Sequence, residues 1–253
     1  MKVLLVNGSS RENGCTNIAL NEVARALNEN GIETEKIFVG NKPISDCIAC
    51  RKCRENGECI FHDEVNAFVE KAKNANGFVF GSPVYFAHPS GRLLSFMDRA
   101  FYSCGSAFAF KPAAAVLSAR RAGTTASFDV INKYFTICSM PVVSSTYWNH
   151  VYGAQPEQVA EDKEGLMTMY NIGKNMAWLL KCIELGKENG VPQPTNEKVL
   201  TNLSDKNGGI QMNKFTYSNP TKVYFGNGSA DDALNAELQK YGKTLCCLRR
   251  RLN

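Results

Sequence analysis

The sequence predicts an α/β protein built on a doubly wound, five-stranded parallel sheet with helices on both faces. Three observations predict it. Short apolar runs alternate with apolar stripes at helical spacing over residues 1–190, which is the pattern of successive strand–helix units. Turn and cap signals separate them, such as Gly31 after the first stripe and Asp63 before the second. The stretches richest in polar and aromatic chemistry follow the first, third and fourth runs. Ligands of such sheets sit outside the carboxyl ends of the strands.

The first strand covers Lys2 to Val6, and Leu20, Val23, Ala24 and Leu27 mark the first helix. A second strand fits Glu33 to Val39. Residues 40–60 form a cysteine-rich loop, and Val65, Phe68, Val69 and Ala72 give the next helix. The third strand is Gly77 to Gly81, followed by a loop over 82–90 and a helix marked by Leu93, Leu94, Met97, Ala100 and Phe101. The fourth strand is Ala113 to Ser118, and Phe128, Ile131, Phe135 and Cys138 mark the helix after it. A fifth strand fits Val142 to Tyr147. A long helix through Leu166, Met169, Met176, Leu179, Leu180 and Ile183 closes the unit near Gly190. Residues 191–253 read as a linker and a C-terminal appendage.

The loop after the first strand runs Asn7-Gly8-Ser9-Ser10-Arg11-Glu12-Asn13-Gly14-Cys15-Thr16-Asn17. It joins a strand to a helix N-terminus, whose free N–H groups and partial positive charge suit an anion. Ser9, Ser10, Thr16 and Asn17 add polar side chains, and Arg11 adds a charge-assisted donor. Gly8 and Gly14 allow a close backbone approach. The pattern is neither G-x-G-x-x-G nor a P-loop, so it fits a monophosphate better than a pyrophosphate. An ordinary βα turn with a capped helix is the alternative reading. Pro83, Val84, Tyr85 and Phe86 make an apolar wall for a ring system or a surface for a neighbouring subunit. Ala119-Arg120-Arg121-Ala122-Gly123 sets two cations at a loop tip, for an anionic ligand or for solvent.

The chain has 253 residues, ten cysteines and a net charge of +5. Residues 206–253 hold eight Lys or Arg and three Asp or Glu, which is the whole of that excess. Residues 1–205 are neutral, so they lack the basic face that nucleic acid requires. No run is long enough to span a membrane. The chain opens directly on a strand, and its many cysteines fit the reducing cytoplasm. Cys47, Cys50, Cys53 and Cys59 stand in a C-x2-C-x2-C run with a fourth close behind. That spacing can wrap a compact iron–sulfur cluster, with Arg51, Lys52 and Arg54 offsetting its charge. Four reduced thiols in a structural loop are the alternative. Cys104, Cys138 and Cys182 read as core residues.

Asn7-Gly8-Ser9-Ser10-Arg11 with Gly14 and Thr16, and Gly81-Ser82-Pro83-Val84-Tyr85-Phe86 with Ser90-Gly91-Arg92-Leu93-Leu94-Ser95-Phe96-Met97-Asp98-Arg99, resemble the flavodoxin-like NAD(P)H-dependent FMN reductases. Tyr147-Trp148-Asn149, Glu164-Gly165 and Asn175-Met176-Ala177-Trp178 resemble the iron–sulfur flavoprotein branch. The resemblance covers about residues 1–190. It implies FMN, with its phosphate on Ser9, Arg11, Cys15, Thr16 and Asn17. The flavin would lie against Pro83, Val84, Tyr85 and Phe86 and against Ala119, Arg120, Arg121 and Gly123. It implies a 4Fe–4S cluster or free thiols at Cys47, Cys50, Cys53 and Cys59. Cys15 stands where a polar residue is usual, and Phe86 where many plainer FMN reductases have asparagine.

The resemblance further implies hydride transfer from NAD(P)H through FMN to a quinone, a flavin or a similar acceptor. The flavin carries the chemistry, so no side chain is assigned as a catalytic acid or base. The alternative is an electron carrier between ferredoxin-like partners. A homodimer or homotetramer is expected. Residues 212–245 resemble the start of an iron-containing alcohol dehydrogenase and are expected to be non-catalytic here.

Overall fold

In the computed structural model, residues 1–197, 199, 215–219 and 221–241 are described. The chain divides into two units, Met1–Pro194 and Thr195–Asn253. In the first, β1 (Lys2–Asn7) leads through α1 (Cys15–Glu29) to β2 (Glu33–Phe38). After the cysteine loop come α2 (Cys53–Asn56), α3 (Glu64–Asn74), β3 (Gly77–Tyr85), β4 (His88–Pro89) and α4 (Gly91–Cys104). Then follow β5 (Ala113–Ala119), α5 (Thr124–Ile137), β6 (His150–Tyr152), α6 (Pro156–Glu161) and α7 (Lys163–Glu188).

The five parallel strands stand in the order β2-β1-β3-β5-β6. The order turns back between β1 and β3, which is the switch point where doubly wound sheets bind ligands. Alternate strand residues serve the two faces, as a two-residue period requires. Leu4, Val6, Phe78, Phe80, Ala113, Ala115 and Leu117 pack under α3, α4 and α5. Val3, Leu5, Val79, Ala114 and Val116 pack under α1 and α7. Both faces are therefore covered, and the strands read as continuous apolar runs. An aromatic block fills the first face. Phe68 lies 5.0 Å from Phe96, and Phe78 lies 5.0 Å from Phe108. Full burial of such a side chain is worth about 1.5–3 kcal/mol.

The structure corrects two element boundaries. Residues 82–90 are not an irregular loop. β3 runs on to Tyr85, and β4 pairs back on it antiparallel, Val84 with Pro89 and Tyr85 with His88. Pro83 hides this in the sequence, because a proline normally demotes a strand. The fifth strand is not Val142–Tyr147 but β6. Val142 makes an isolated parallel bridge with Ala113, and the chain then leaves the sheet. Its hydrogen-bonding groups go to α7 instead. Ser145 Oγ donates to Thr168 O (2.6 Å), and Asn175 Nδ2 donates to Ser144 O (2.8 Å). The chain rejoins at Leu117↔His150. Cys182 is exposed rather than in the core, whereas Cys104 and Cys138 pack against the aromatic face.

Within the second unit, β7 (Phe215–Asn219) and β8 (Thr221–Phe225) form an antiparallel hairpin, followed by α8 (Ser229–Tyr241). Tyr224 Oη donates to Glu237 Oε1 at 2.9 Å. Gly208, Gly209, Met212 and the basic run at 246–253 lie outside the described residues. Among the described residues, no helix is long and apolar enough to cross a membrane.

Candidate active site

The three singled-out loops meet at the carboxyl end of the sheet. The first is braced by Asn7, whose side chain the sequence reading did not assign. Asn7 Oδ1 accepts from the Ser9 N–H (3.1 Å), and Asn7 Nδ2 donates to Glu12 O (3.0 Å). Ser9 Oγ accepts from the Arg11 N–H (3.1 Å). Gly8 N donates to Gly81 O (2.8 Å), which ties this loop to β3. Thr16 and Ser118 share a buried hydroxyl hydrogen bond of 2.8 Å, which ties it to β5. Such a bond is worth about 0.5–1.5 kcal/mol.

What remains free in this loop is specific. Gly14 caps α1 without any side-chain hydrogen bond. Among the described residues, no other residue accepts a hydrogen bond from the N–H groups of Cys15 and Thr16, the first two of the helix. The Arg11 side chain is exposed and, among the described residues, forms no hydrogen bond or ion pair. The side chains of Cys15, Thr16 and Asn17 also bond within the protein. The Cys15 thiol donates to Gly153 O at 3.7 Å, and burial pushes its pKa up. Asn17 Oδ1 accepts from Lys36 Nζ at 3.4 Å. The helix end thus offers backbone groups and Arg11 to an anion. The close approach of Gly8 serves packing: a Cβ there would meet Leu93 Cβ at 2.7 Å.

The other two loops touch each other. The turn between β3 and β4 places Phe86 and Ala87 at φ 51° and 59°, in the left-handed region. Tyr85 is half exposed and Phe86 fully so. Below them Ser90 N donates to Ser82 Oγ (2.8 Å), which fixes the foot of the hairpin. Gly123 sits at φ 91°, and a Cβ there would lie 2.6 Å from Ala87 Cα and 3.2 Å from Val84 Cγ1. Only glycine fits this contact. Ala119 O is taken by the Gly153 N–H (2.9 Å), while Arg120 and Arg121 are exposed.

Beside these loops opens a cleft of about 390 Å³, lined by Arg121, Thr124, Tyr147, Trp148, His150 and Tyr152. Its aromatic wall is continuous: Tyr147 lies 5.2 Å from Trp148, and His150 lies 4.9 Å from Tyr152. Burial pulls the His150 pKa below the ordinary histidine value, against Asp162 and Glu164. The sequence pattern puts the fifth strand at Val142–Tyr147, whereas β6 lies at His150–Tyr152, so the pattern gives no signal that these two side chains line the cleft.

The cysteine loop makes a separate pocket. Cys47, Cys50, Cys53 and Cys59 line one small cavity with Arg99 and Tyr102. Ala49 (φ 53°) and Arg51 (φ 61°) take left-handed conformations between the cysteines. Burial pushes the Cys53 pKa up, and the neighbouring thiols at Cys47, Cys50 and Cys59 add to it. Among the described residues, no three His, Cys, Asp or Glu side chains are grouped to hold a single metal ion.

Residues 1–155 match the family model of the NADPH-dependent FMN reductases. The chain belongs to that family. As a member it is an FMN-dependent oxidoreductase, and two relatives refine the likeness. An iron-sulfur flavoprotein of Methanocaldococcus jannaschii is 36% identical over 192 residues, covering 73% of this chain and all of the relative. An iron-sulfur flavoprotein of Methanosarcina thermophila is 26% identical over 192 residues, covering 74% of this chain and all of the relative. Among solved structures, a flavodoxin, WrbA-like protein from Agrobacterium tumefaciens superposes with a TM-score of 0.51 at 14% identity. It covers 72% of this chain and 98% of that one, which supports the flavodoxin-like fold. Residues 212–245 lie outside the family match, and the resemblance of that stretch to a dehydrogenase is not shown by these relatives.

Proposed function

We propose that this FMN reductase family member takes hydride from NAD(P)H and passes electrons to a small acceptor such as a quinone or a second flavin. The observation that carries the reading is the convergence of the three loops, with the N–H groups of Cys15 and Thr16 and the Arg11 side chain, all unbonded to other described residues, at one end. When bound, FMN supplies a ring that accepts hydride and releases electrons singly or in pairs. The chain binds and orients. Arg11 and the two N–H groups hold the phosphate. Pro83, Val84, Tyr85 and Phe86 bound the ring on one side, and Ala119 to Gly123 on the other. Arg120 and Arg121 favour the added negative charge after reduction. Tyr147, Trp148 and Tyr152 offer a flat face to nicotinamide and acceptor in turn, which gives ping-pong kinetics.

Arg11→Ala removes a charge-assisted phosphate bond worth about 1.5–3 kcal/mol. FMN affinity should fall between about tenfold and a hundredfold, measured by quenching of flavin fluorescence, with thermal stability unchanged. An unchanged affinity would remove Arg11 from the phosphate site. Exposed Trp148, Met167 and Trp178 support a homodimer or homotetramer, and a cytoplasmic setting fits the reduced thiols.

A second reading is an electron carrier with a 4Fe–4S cluster. It is favoured by the four cysteines facing one cavity and by the names of the two relatives. A cluster takes one thiolate per iron, so its ligands stand further apart than those of a single ion. Anaerobically reconstituted protein should hold iron and labile sulfide in equal amounts. Cys50→Ser should abolish both and leave FMN bound. Iron-free protein would leave the four residues as free thiols.

A further inference from the structure

Arg99 is a cation with no access to water: its side chain is 0% exposed. Every one of its N–H donors has a partner. Nη1 and Nη2 grip the Asp63 carboxylate at 2.7 and 2.8 Å. Nη1 also reaches Ser45 O (3.4 Å), and Nη2 reaches Phe61 O (3.1 Å). Nε donates to Cys59 Sγ at 3.3 Å. The guanidinium carbon stands 4.8 Å from the Phe61 ring centre. One residue of α4 therefore clasps the cysteine loop on both flanks, at Ser45 before Cys47 and at Phe61 and Asp63 after Cys59. The backbone of Cys59 is fixed as well, by both amide atoms of Asn66 (3.2 and 2.8 Å).

We propose that Arg99 is a positioning residue for the cysteine pocket, holding Cys59 as a ligand and raising the reduction potential of a 4Fe–4S cluster bound there. The proposal rests on the cluster reading above. Its physical basis is local. Hydrogen bonds to ligand sulfur and nearby net charge set cluster potentials. An added electron makes the cluster more negative, and a buried cation at hydrogen-bond distance from Cys59 Sγ stabilises that state. Asp63 lies on the far side of the guanidinium and partly cancels it. The two residues should thus act with opposite signs. Removing the cation disfavours the reduced cluster. Removing the anion favours it.

The test uses Arg99→Gln and Asp63→Asn in the full chain, reconstituted anaerobically with iron and sulfide. Asparagine caps helices as well as aspartate does, so the Asp63 role at the start of α3 is kept. FMN binding reports folding, iron and sulfide report loading, and a potentiometric titration followed by electron paramagnetic resonance reports the couple. Arg99→Gln is expected to lower the ratio of reduced to oxidised cluster about tenfold at fixed potential, equal to about 59 mV for one electron. Asp63→Asn is expected to raise it by a similar factor. A variant Arg99→Gln that binds FMN but loads no iron would support the positioning role. Should that variant fail to bind FMN, Asp63→Asn decides by the sign of its shift. Two loaded variants with ratios within twofold of the unaltered protein, or shifted in the same direction, would overturn the assignment of Arg99 and leave the cluster reading standing. An unaltered protein that takes up no iron would overturn both.

Discussion

Gly123→Ala is expected to cost about 2–5 kcal/mol of stability and to weaken FMN binding more than tenfold. Two effects add. The backbone at φ 91° is left-handed, which costs a side-chain-bearing residue roughly 1–2 kcal/mol. The new methyl also lands 2.6 Å from Ala87 Cα. That neighbour is backbone and cannot rotate away, and overpacking of this kind costs about 1–3 kcal/mol. The relief open to the chain is to part the loop after β5 from the hairpin of β3 and β4. Those are the two surfaces proposed to hold the flavin, so affinity should suffer with stability. Urea unfolding measures the first and flavin titration the second. A stable variant with unchanged FMN affinity would show that the contact between these loops does not shape the site.

Arg99→Met is expected to destabilise the first unit by about 3–5 kcal/mol, the usual cost of breaking a buried ion pair from one side. Methionine matches the apolar stem but leaves Asp63, Ser45 O and Phe61 O without donors they now use. Asp63 is 29% exposed at its side chain, so water recovers part of the loss. The lower end of the range is therefore the better expectation. The double variant Arg99→Met, Asp63→Asn should recover part of the stability, because no charge is then left unpaired. Denaturation of the apo protein measures this without any cofactor. A single-variant loss under 1 kcal/mol would contradict the clasp.

The sheet and its helices were legible because their signal is local. The apolar runs of β1, β3 and β5 and the stripes of α1, α3 and α4 are each set by residues a few positions apart. The Asp63 cap accepts from the Val65 N–H as expected, and Gly31 takes the left-handed turn after α1. What escaped the sequence depends on distant partners. Thr16 reads from the sequence as a ligand for an anion, and the hydrogen bond it also shares with Ser118, 102 residues away, is invisible there. Ser144 and Ser145 read as strand, but α7 takes their hydrogen bonds. That displaced β6 and hid His150 and Tyr152. Arg99 lies off the apolar stripe of α4, and its partners Cys59 and Asp63 come from 40 and 36 residues upstream. The cysteine spacing was plain, but the clasp that shapes the pocket was not.

The most direct measurement is an anaerobic absorption titration of the purified full chain, loaded with FMN, against NADH and NADPH. The proposed function predicts stoichiometric FMN, bleaching of the flavin bands by at least one of the two nucleotides, and recovery of the colour on adding a quinone. Protein that binds no flavin at micromolar concentration, or whose bound FMN neither nucleotide reduces, would contradict it.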